Sequence, residues 1–202
     1  MSFDSTAYWE NRYATGGNSG AGSYGLIADF KANSLNNFIR ENGIESAIEY
    51  GSGDGNQLSL LKINEYLGLD VSTTTIENLR KKFATDSSKS FVAYNGDSFE
   101  VDVTFKRDIA LSMDVILHLT EDSRYEKYMS NLVKSSHRYL GIFTTATEKQ
   151  PEKMARHNRF RDHRFWLNEN APSWKEIRVD FTPAELGYPE TTGFYYYEKI
   201  GE

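Results

Sequence analysis

A run of alternating glycines at residues 51–55 constrains the fold of this chain more than any other stretch. The run is Gly-Ser-Gly-Asp-Gly, and it follows a short apolar segment, formed by Ala47, Ile48 and Tyr50, with the length of a buried strand. Glycine has no Cβ, so such a turn lets backbone approach a ligand closely. Leu58, Leu60 and Leu61 predict a helix after the turn, with its free N–H groups directed at that ligand.

An acidic residue at the end of the second predicted strand indicates a nucleotide-like ligand. Residues 66–72 predict a second strand that ends in Asp70. A carboxylate at the end of the second strand can accept the ribose hydroxyls of an adenosine. The dinucleotide fingerprint is G-x-G-x-x-G, whereas here Glu49 precedes glycines at every second position. The spacing therefore argues against a nicotinamide-dependent reductase.

Composition limits the remaining classes of protein. The chain has 202 residues and 39% hydrophobic content, which predicts one globular domain over residues 1–202. Because cysteine is absent, disulfides, thiolate zinc sites and cysteine nucleophiles are excluded, and we expect a cytoplasmic protein. Neither a signal peptide nor a membrane span is predicted. A net charge of −6 argues against broad nucleic-acid binding.

Residues 1–45 are predicted to form helices joined by a glycine-rich loop. An amphipathic helix over residues 3–13 either packs its aromatic side chains on the domain edge or closes over a ligand. Residues 15–25 contain five glycines, so we expect a loop whose N–H groups can bind an anion. A helix over residues 26–42 should end at Gly43. Lys31 on this helix either reaches the carboxylate of a cofactor or is solvated, and we expect it to be solvated.

Residues 109–118 contain the candidate catalytic groups. Residues 109–113 predict a strand, and Asp114 stands at its carboxyl end, where ligands bind in open α/β sheets. His118 is the first candidate for a general base and His157 the second, although His118 could instead pack on a cofactor. Asp114 could orient a histidine, bind the acceptor or help to bind a metal. No oxygen-ligand cluster indicates a divalent metal, so no metal ligands are predicted.

The rest of the chain completes an alternating α/β pattern. Strands are predicted at residues 90–94, 137–145, 174–181 and 193–199. Ser72 is predicted to cap a helix that runs to about Phe83, and another helix opens after Thr120. Asp97 follows the third strand, either near an adenine amine or in an ordinary turn. Residues 149–164 hold six Lys or Arg, two His and only two acids, so we expect residues 149–170 to be a basic insertion on the acceptor side.

Three segments carry a resemblance to a known family. They are Tyr-Trp-x-x-Arg-Tyr at 8–13, Gly-Gly-Asn-Ser-Gly-Ala-Gly-Ser-Tyr-Gly at 16–25 and Glu-x-Gly-x-Gly-Asp-Gly-Asn-Gln-Leu at 49–58. In this order they resemble a compact group of class I methyltransferases that depend on S-adenosyl-L-methionine (SAM). Tyr50 and Ser52 stand where many relatives have Phe and Cys. The resemblance implies a Rossmann-like α/β fold, with a seven-stranded, mostly parallel sheet, an antiparallel last strand and helices on both faces.

The resemblance also implies the site. SAM would be the cofactor and S-adenosyl-L-homocysteine (SAH) the product. The residues expected to bind the cofactor are Tyr8, Trp9, Arg12, Glu49, Gly51, Ser52, Gly53, Gly55, Gln57, Asp70, Val71, Asp97, Ser98 and Met113. His118 and Asp114 would be catalytic. The residues expected to bind the acceptor are Tyr24, Arg156, His157 and Arg159.

Such domains are often fused to glycosyltransferases or encoded near them. We therefore expect O-methylation of a sugar hydroxyl in a glycan or polysaccharide precursor, free or nucleotide- or lipid-linked, with possible glycosyltransferase association. An RNA methyltransferase that uses residues 149–164, another small-molecule methyltransferase and a non-catalytic SAM-binding protein are the alternatives. The net negative charge of the chain and the lack of an appended RNA-binding module argue against an RNA substrate.

Overall fold

The computed structural model describes residues 3–201, and its centre is one seven-stranded sheet. Along the sheet the strand order is β3-β2-β1-β4-β5-β7-β6. β7 is antiparallel to both of its neighbours, and the remaining pairs are parallel. The strands are β1 (Ser46–Tyr50), β2 (Glu65–Asp70), β3 (Lys89–Ala93), β4 (Arg107–Met113), β5 (Ser136–Thr145), β6 (Trp174–Phe181) and β7 (Thr192–Lys199).

Five α-helices accompany the sheet. They are α1 (Ser5–Ala14), α2 (Gly25–Asn42), α3 (Thr73–Lys82), α4 (Asp122–Lys134) and α5 (His163–Asn170). Side chains of α2 and α3 pack in the core on one face of the sheet, and side chains of α4 and α5 pack in the core on the other. The sequence-predicted fold is therefore confirmed, including the antiparallel last strand and the helices on both faces.

The two cores follow from the alternation of side chains along each strand. In β1, Ala47 belongs to the core beneath α2 and α3, whereas Ile48 and Tyr50 belong to the core beneath α4 and α5. Both sets are almost completely buried. Because side chains point alternately to the two faces and both faces are covered, β1 is buried from Ala47 to Tyr50, with Glu49 as a buried polar side chain among the apolar ones.

The topology determines where a ligand can bind. β1 pairs with β2 on one side and with β4 on the other. The chain direction across the sheet reverses here, since β2 and β3 lie to one side and β4 and β5 to the other. The carboxyl ends of β1, β2 and β4 therefore meet at a topological switch point, which is the usual binding crevice of such sheets.

Local signals placed most helix ends correctly. The Ser72 side chain caps α3 by accepting a hydrogen bond from Thr75 N at 3.1 Å. Gly43 ends α2 in a left-handed conformation with φ 58°. The helix predicted after the glycine turn was wrong, because only a 3-10 turn forms at Leu58–Leu60. Few residues separate Gly55 from β2, so no dipole of a long helix points at the glycine turn.

Two sequence predictions concern membrane spans and the division of the chain into domains. No helix among residues 3–201 has the length and apolar character needed to cross a bilayer. The ends of the predicted 1–202 domain, residues 1, 2 and 202, lie outside the described residues. That the chain is a single domain stays a prediction.

Candidate cofactor and acceptor site

A cavity of about 1040 Å³, including its open mouth, lies at the carboxyl ends of β1, β2 and β4. Its walls come from α1, the glycine-rich loop, α2 and the turns that follow the three strands. The sequence-predicted site residues that line it are Trp9, Glu49, Gly51, Ser52, Gly53, Gln57, Asp70, Val71, Met113, Asp114 and His118. Tertiary structure thus brings most of the predicted cofactor residues and both predicted catalytic residues to one cavity; their part in binding and catalysis stays a prediction.

The glycine turn is held against β2 by its backbone. Gly51 N and Ser52 N both donate to Leu69 O, at 2.7 and 3.0 Å. Gly51 has φ 79°, and a Cβ there would collide with the side chain of Val115. A residue with a side chain would therefore be both strained and obstructed at this position. The turn needs glycine because it passes close to the segment that follows β4.

The Asp70 carboxylate is buried at the end of β2 and is organised by backbone donors. Gly53 N donates to its Oδ2 at 3.0 Å, and Ser72 N donates to its Oδ1 at 2.9 Å. Burial raises the pKa of Asp70 to about 6, although these N–H groups act in the opposite direction. Each carboxylate oxygen can accept a further hydrogen bond, so the group keeps capacity for two ligand hydroxyls.

Glu49 is a second buried carboxyl group in the cavity wall. It accepts a hydrogen bond from the Tyr66 hydroxyl, and its residue is 3% exposed. Burial raises the pKa of Glu49 to about 7, with the Tyr66 hydrogen bond and the nearby Lys31 charge opposing the rise. Its charge in the free protein therefore changes near neutral pH.

Two further buried polar atoms point to a ligand. Within the described residues, Ser52 Oγ and Gln57 Oε1 have no hydrogen-bond partner, and both residues are 6% exposed. The Gln57 side chain is held in place because its Nε2 donates to Ala28 O at 3.1 Å. Buried polar atoms in a cavity wall are normally paired, so these two are available to a bound molecule.

The glycine-rich loop is tied to the glycine turn through Asp54. Asp54 Oδ2 accepts from Ser19 N at 2.7 Å and from the Tyr24 hydroxyl at 2.8 Å, while Asp54 N donates to Ser19 Oγ at 2.9 Å. Tyr24 was predicted to bind the acceptor, but here its hydroxyl is used by Asp54. The loop therefore closes one side of the cavity through reciprocal hydrogen bonds between two turns.

Lys31 was predicted to be solvated, and this prediction was wrong. Its side chain is 1% exposed, and Nζ donates to Asp114 Oδ2 at 2.8 Å. Asp114 has φ 59°, the only positive φ of a residue other than glycine within residues 3–201. A left-handed aspartate at a strand end is a strained conformation that often marks functional sites. Helical periodicity alone did not reveal this because the partner lies far away in sequence.

His118 ends a 3-10 turn, Ile116–His118, directly after Asp114 and Val115. Its Nδ1 lies 3.2 Å from His157 O. A carbonyl oxygen only accepts, so Nδ1 carries the proton and Nε2 is the acceptor nitrogen of the neutral ring. Burial lowers the pKa of His118 below its ordinary value, against the raising effects of the His157 carbonyl and the Asp114 carboxylate. Around neutral pH the ring is therefore an uncharged base.

Several predicted site residues do not line the cavity. Asp97 and Ser98 are exposed, and Asp97 is held by Arg124 through two contacts at 2.7 and 2.9 Å. Gly55 packs instead against Leu79, which a Cβ at residue 55 would approach to 2.5 Å. Tyr8 stacks on His157 with ring centroids 4.7 Å apart. Arg12 donates to Asn18 O at 2.6 Å.

Ion pairs neutralise half of the basic side chains in the predicted basic insertion. Arg159 and Arg161 both pair with Asp122, at 2.9 and 2.8 Å, and Arg164 pairs with Asp162 at 2.6 Å. Lys149, Lys153 and Arg156 are exposed and form no ion pair with the described residues. The free positive charge therefore lies at the start of the insertion, in the loop before Arg159.

Two charged residues of the site, Arg124 and Lys31, were not predicted from the sequence to belong to it. Arg124 on α4 lines the cavity and contacts Asp4 and Asp97 from two other elements at 2.8 and 2.7 Å. The position of Lys31 on a helix predicts a solvated side chain, not a buried one. The signal that could have identified Arg124 is weak, because basic residues on an amphipathic helix are usually solvated.

Comparisons with solved structures give the class of fold. The N-methyltransferase NodS from Bradyrhizobium japonicum WM9, in complex with SAH, matches with TM-score 0.76 and 13% identity, over 98% of this chain and 100% of that chain. Magnesium protoporphyrin IX methyltransferase (ChlM) from Synechocystis PCC 6803, with bound SAM, matches with TM-score 0.65 and 15% identity, over 100% and 99%.

Phosphoethanolamine N-methyltransferase 1 from Haemonchus contortus, in complex with phosphoethanolamine and SAH, matches with TM-score 0.69 and 10% identity. The match covers 98% of this chain and 48% of that chain. No protein-family model matches the sequence, and no curated protein matches it. The chain has the Rossmann-like fold of class I SAM-dependent methyltransferases. At these identities the likeness concerns the fold alone.

Proposed function

We propose that this protein is a SAM-dependent methyltransferase that O-methylates a sugar hydroxyl. The observation that carries the proposal is His118, a neutral imidazole in the wall of a cavity at the topological switch point. A sugar hydroxyl is a poor nucleophile until it loses its proton, and a positioned base typically contributes 10²–10⁴-fold. His118 Nε2 is suited to take that proton, and Asp114 is close enough to stabilise the resulting imidazolium.

The cavity residues fit SAM. Asp70 would accept the ribose hydroxyls through the oxygens that remain available beside Gly53 N and Ser72 N. Gln57 Oε1 and Ser52 Oγ are unpaired acceptors for the polar groups of its amino-acid part. SAM, when bound, supplies an electrophilic methyl group, whose transfer leaves SAH. The contribution of this chain is to exclude water, align the acceptor and remove its proton.

The free charges in the loop that contacts His118 favour a phosphorylated sugar as acceptor. The loop before Arg159 carries Lys153 and Arg156, which are exposed and without an ion pair among the described residues. The same loop contacts the base directly, since His157 O accepts from His118 Nδ1. An exposed guanidinium can bind a phosphate through two parallel hydrogen bonds. A nucleotide-linked or lipid-linked sugar would place its phosphate at this loop.

Alternative acceptors lead to different results in one assay. Purified protein with methyl-labelled SAM would be given phosphorylated sugars, neutral oligosaccharides, small amines and total RNA, each across a salt series. We expect labelling of the phosphorylated sugars. Selective labelling of amines would replace O-methylation by N-methylation. Labelling of RNA with a steep loss in salt would instead support the nucleic-acid alternative, because each phosphate contact releases counterions.

The role of the base is tested separately with the best acceptor. His118→Ala should keep SAM affinity and lower turnover by roughly 10²–10⁴. His137→Ala is the matched control, because His137 is an exposed histidine of β5 that pairs with Asp108 at 3.3 Å. Normal turnover of His118→Ala would contradict the assignment of His118 as base.

A further inference from the structure

Four aromatic rings form a closed cluster beside the cavity. The Trp9 ring meets the His118 ring edge to face at 4.8 Å, and His118 stacks on His157 at 5.5 Å. His157 stacks on Tyr8 at 4.7 Å, and Tyr8 meets Trp9 at 5.4 Å. Each ring therefore contacts two others, and the candidate base is enclosed between Trp9 and His157. We call these residues the four-ring cluster.

The four-ring cluster connects three separate parts of the chain. Tyr8 and Trp9 lie on α1, His118 lies in the turn after β4, and His157 lies in the loop before α5. The loop is itself closed by Gln150, which donates to Phe160 O and accepts from Phe160 N, both at 2.9 Å. It is joined to the turn after β4 where Arg159 N donates to Leu117 O at 2.7 Å.

α1 is held in the position that the cluster requires by one contact at its N-cap and one near its middle. Asp4, which caps α1, accepts from Arg124 at 2.8 Å. Glu10 accepts from the Thr74 hydroxyl at 2.5 Å, at the start of α3. Arg12 adds a contact within α1, since its guanidinium lies 5.6 Å from the Trp9 ring centroid. The orientation of the rings on α1 is thus fixed by the body of the protein.

We infer that Tyr8 and His157 are positioning residues for His118, and that together they hold the base in its Nδ1–H tautomer and shield it from water. The inference rests on the proposed function, in which His118 is the base. His157 acts through its backbone, which accepts the Nδ1 proton, and through its ring, which covers His118. Tyr8 acts through the ring of His157 and does not line the cavity. His118 is held in this tautomer and shielded from water only when α1 lies against the loop that carries His157.

The charges around the cluster set the direction of the pH effect. Burial, the largest effect, lowers the pKa of His118, and the charge of His157 lowers it further. The His157 carbonyl, Asp114 at the end of β4 and the Asn158 side chain raise it. Arg12 on α1 adds to burial in lowering the pKa of His157. Opening the cluster would admit water and remove the larger effect on His118. Its pKa should then rise toward the ordinary histidine value of about 6.5.

The test replaces Tyr8 and follows the imidazole of His118 directly. In Tyr8→Leu, long-range proton–nitrogen NMR spectra should show a mixture of His118 tautomers in place of the Nδ1–H form. The midpoint of its titration should move up by roughly 0.5–1 pH unit. Resonances are assigned by their loss in His118→Ala. His137→Ala serves as the control that leaves these resonances in place. Tyr8→Phe keeps the ring and should restore the wild-type spectrum.

Kinetics provide the second readout, with the same variants. In Tyr8→Leu, turnover should fall roughly 10–100-fold, because a misplaced base is inefficient, and the acidic limb of the pH–rate profile should move up with the NMR titration. Unchanged tautomer and titration in a folded Tyr8→Leu variant would overturn the inference. If His118→Ala is fully active, the proposed base fails, whatever the NMR spectra show, so the two failures are distinguishable.

Discussion

The Lys31 ammonium and the Asp114 carboxylate form an ion pair of 2.8 Å between α2 and the end of β4. The two partners are unequally buried, since the Lys31 side chain is 1% exposed and that of Asp114 is 26% exposed. Lys31 Nζ also lies 5.1 Å from the ring centroid of Phe143. Asp114 therefore supplies the direct counter-charge of a buried lysine, and the Phe143 ring adds a second favourable contact.

Unequal burial predicts unequal effects of removing each partner. Asp114→Asn leaves a buried ammonium without its counter-charge, which should lower the free energy of unfolding by about 3–5 kcal/mol. Lys31→Met should cost clearly less, because methionine fills an apolar site and Asp114 can reach water. Urea unfolding of both variants and of the double variant measures the difference. Equal losses for the two single variants would show that the pair does not determine stability in this way.

Asp70 predicts a pH-dependent affinity for SAM. Its pKa is raised to about 6 by burial, so the carboxylate gains a proton as the pH falls through that value. Below about pH 6, affinity should fall by up to roughly tenfold per pH unit, because the protonated group is a poorer acceptor. Asp70→Ala should lose about 1.5–3 kcal/mol for each ribose hydroxyl. Calorimetry from pH 5 to 8 checks both; unchanged affinity would refute the ribose assignment.

The raised pKa of Glu49 should make the folded protein less stable as the pH rises, whereas a carboxylate with a lowered pKa makes it more stable. Its pKa in the folded protein, about 7, is above the ordinary glutamate value of 4.5, so its contribution to stability is full below pH 4.5 and is lost as the pH rises through 7. The difference of roughly 2.5 pH units corresponds to about 3 kcal/mol as an upper bound. Glu49→Gln stays neutral and keeps an acceptor for the Tyr66 hydroxyl.

At pH 8 the Glu49→Gln variant should therefore be more stable than the wild type, and near pH 4.5 the two should be similar. Urea unfolding at a series of pH values measures this. Parallel curves for the two proteins would show that Glu49 ionises with little cost. The Lys31→Met background is informative, since Lys31 favours the charged form of Glu49.

Gly53 and Gly43 form a matched pair of glycines. Both have a left-handed backbone, with φ 55° and 58°. A Cβ on Gly53 would collide with Ser19 Oγ, whereas a Cβ on Gly43 would meet nothing within 4 Å. Gly43→Ala should cost roughly 1 kcal/mol from the backbone alone. Gly53→Ala should cost more and should also weaken SAM binding, since it displaces the glycine-rich loop; calorimetry and unfolding of both variants separate the effects.

The sequence alone determined much of the fold and the strand ends at which candidate site residues lie. Apolar runs with a period of two, glycines at every second position and Ser72 or Gly43 at helix ends are local signals, and their consequences are local. They placed the strands and most helices, and they placed Asp70 at a strand end. The helix expected from Leu58, Leu60 and Leu61 did not form, because the short connection to β2 allows only one turn.

Only the tertiary structure decided which charges meet and which side chains reach the cavity. Lys31 and Asp114 are far apart in the chain, and so are Arg124 and Asp4, so no sequence period reports these contacts. The pairing of Arg159 and Arg161 with Asp122, and of Arg164 with Asp162, likewise neutralised half of the six basic side chains expected in residues 149–164. Strands and turns follow from neighbours along the chain, whereas burial and charge pairing depend on which surfaces the completed sheet brings together.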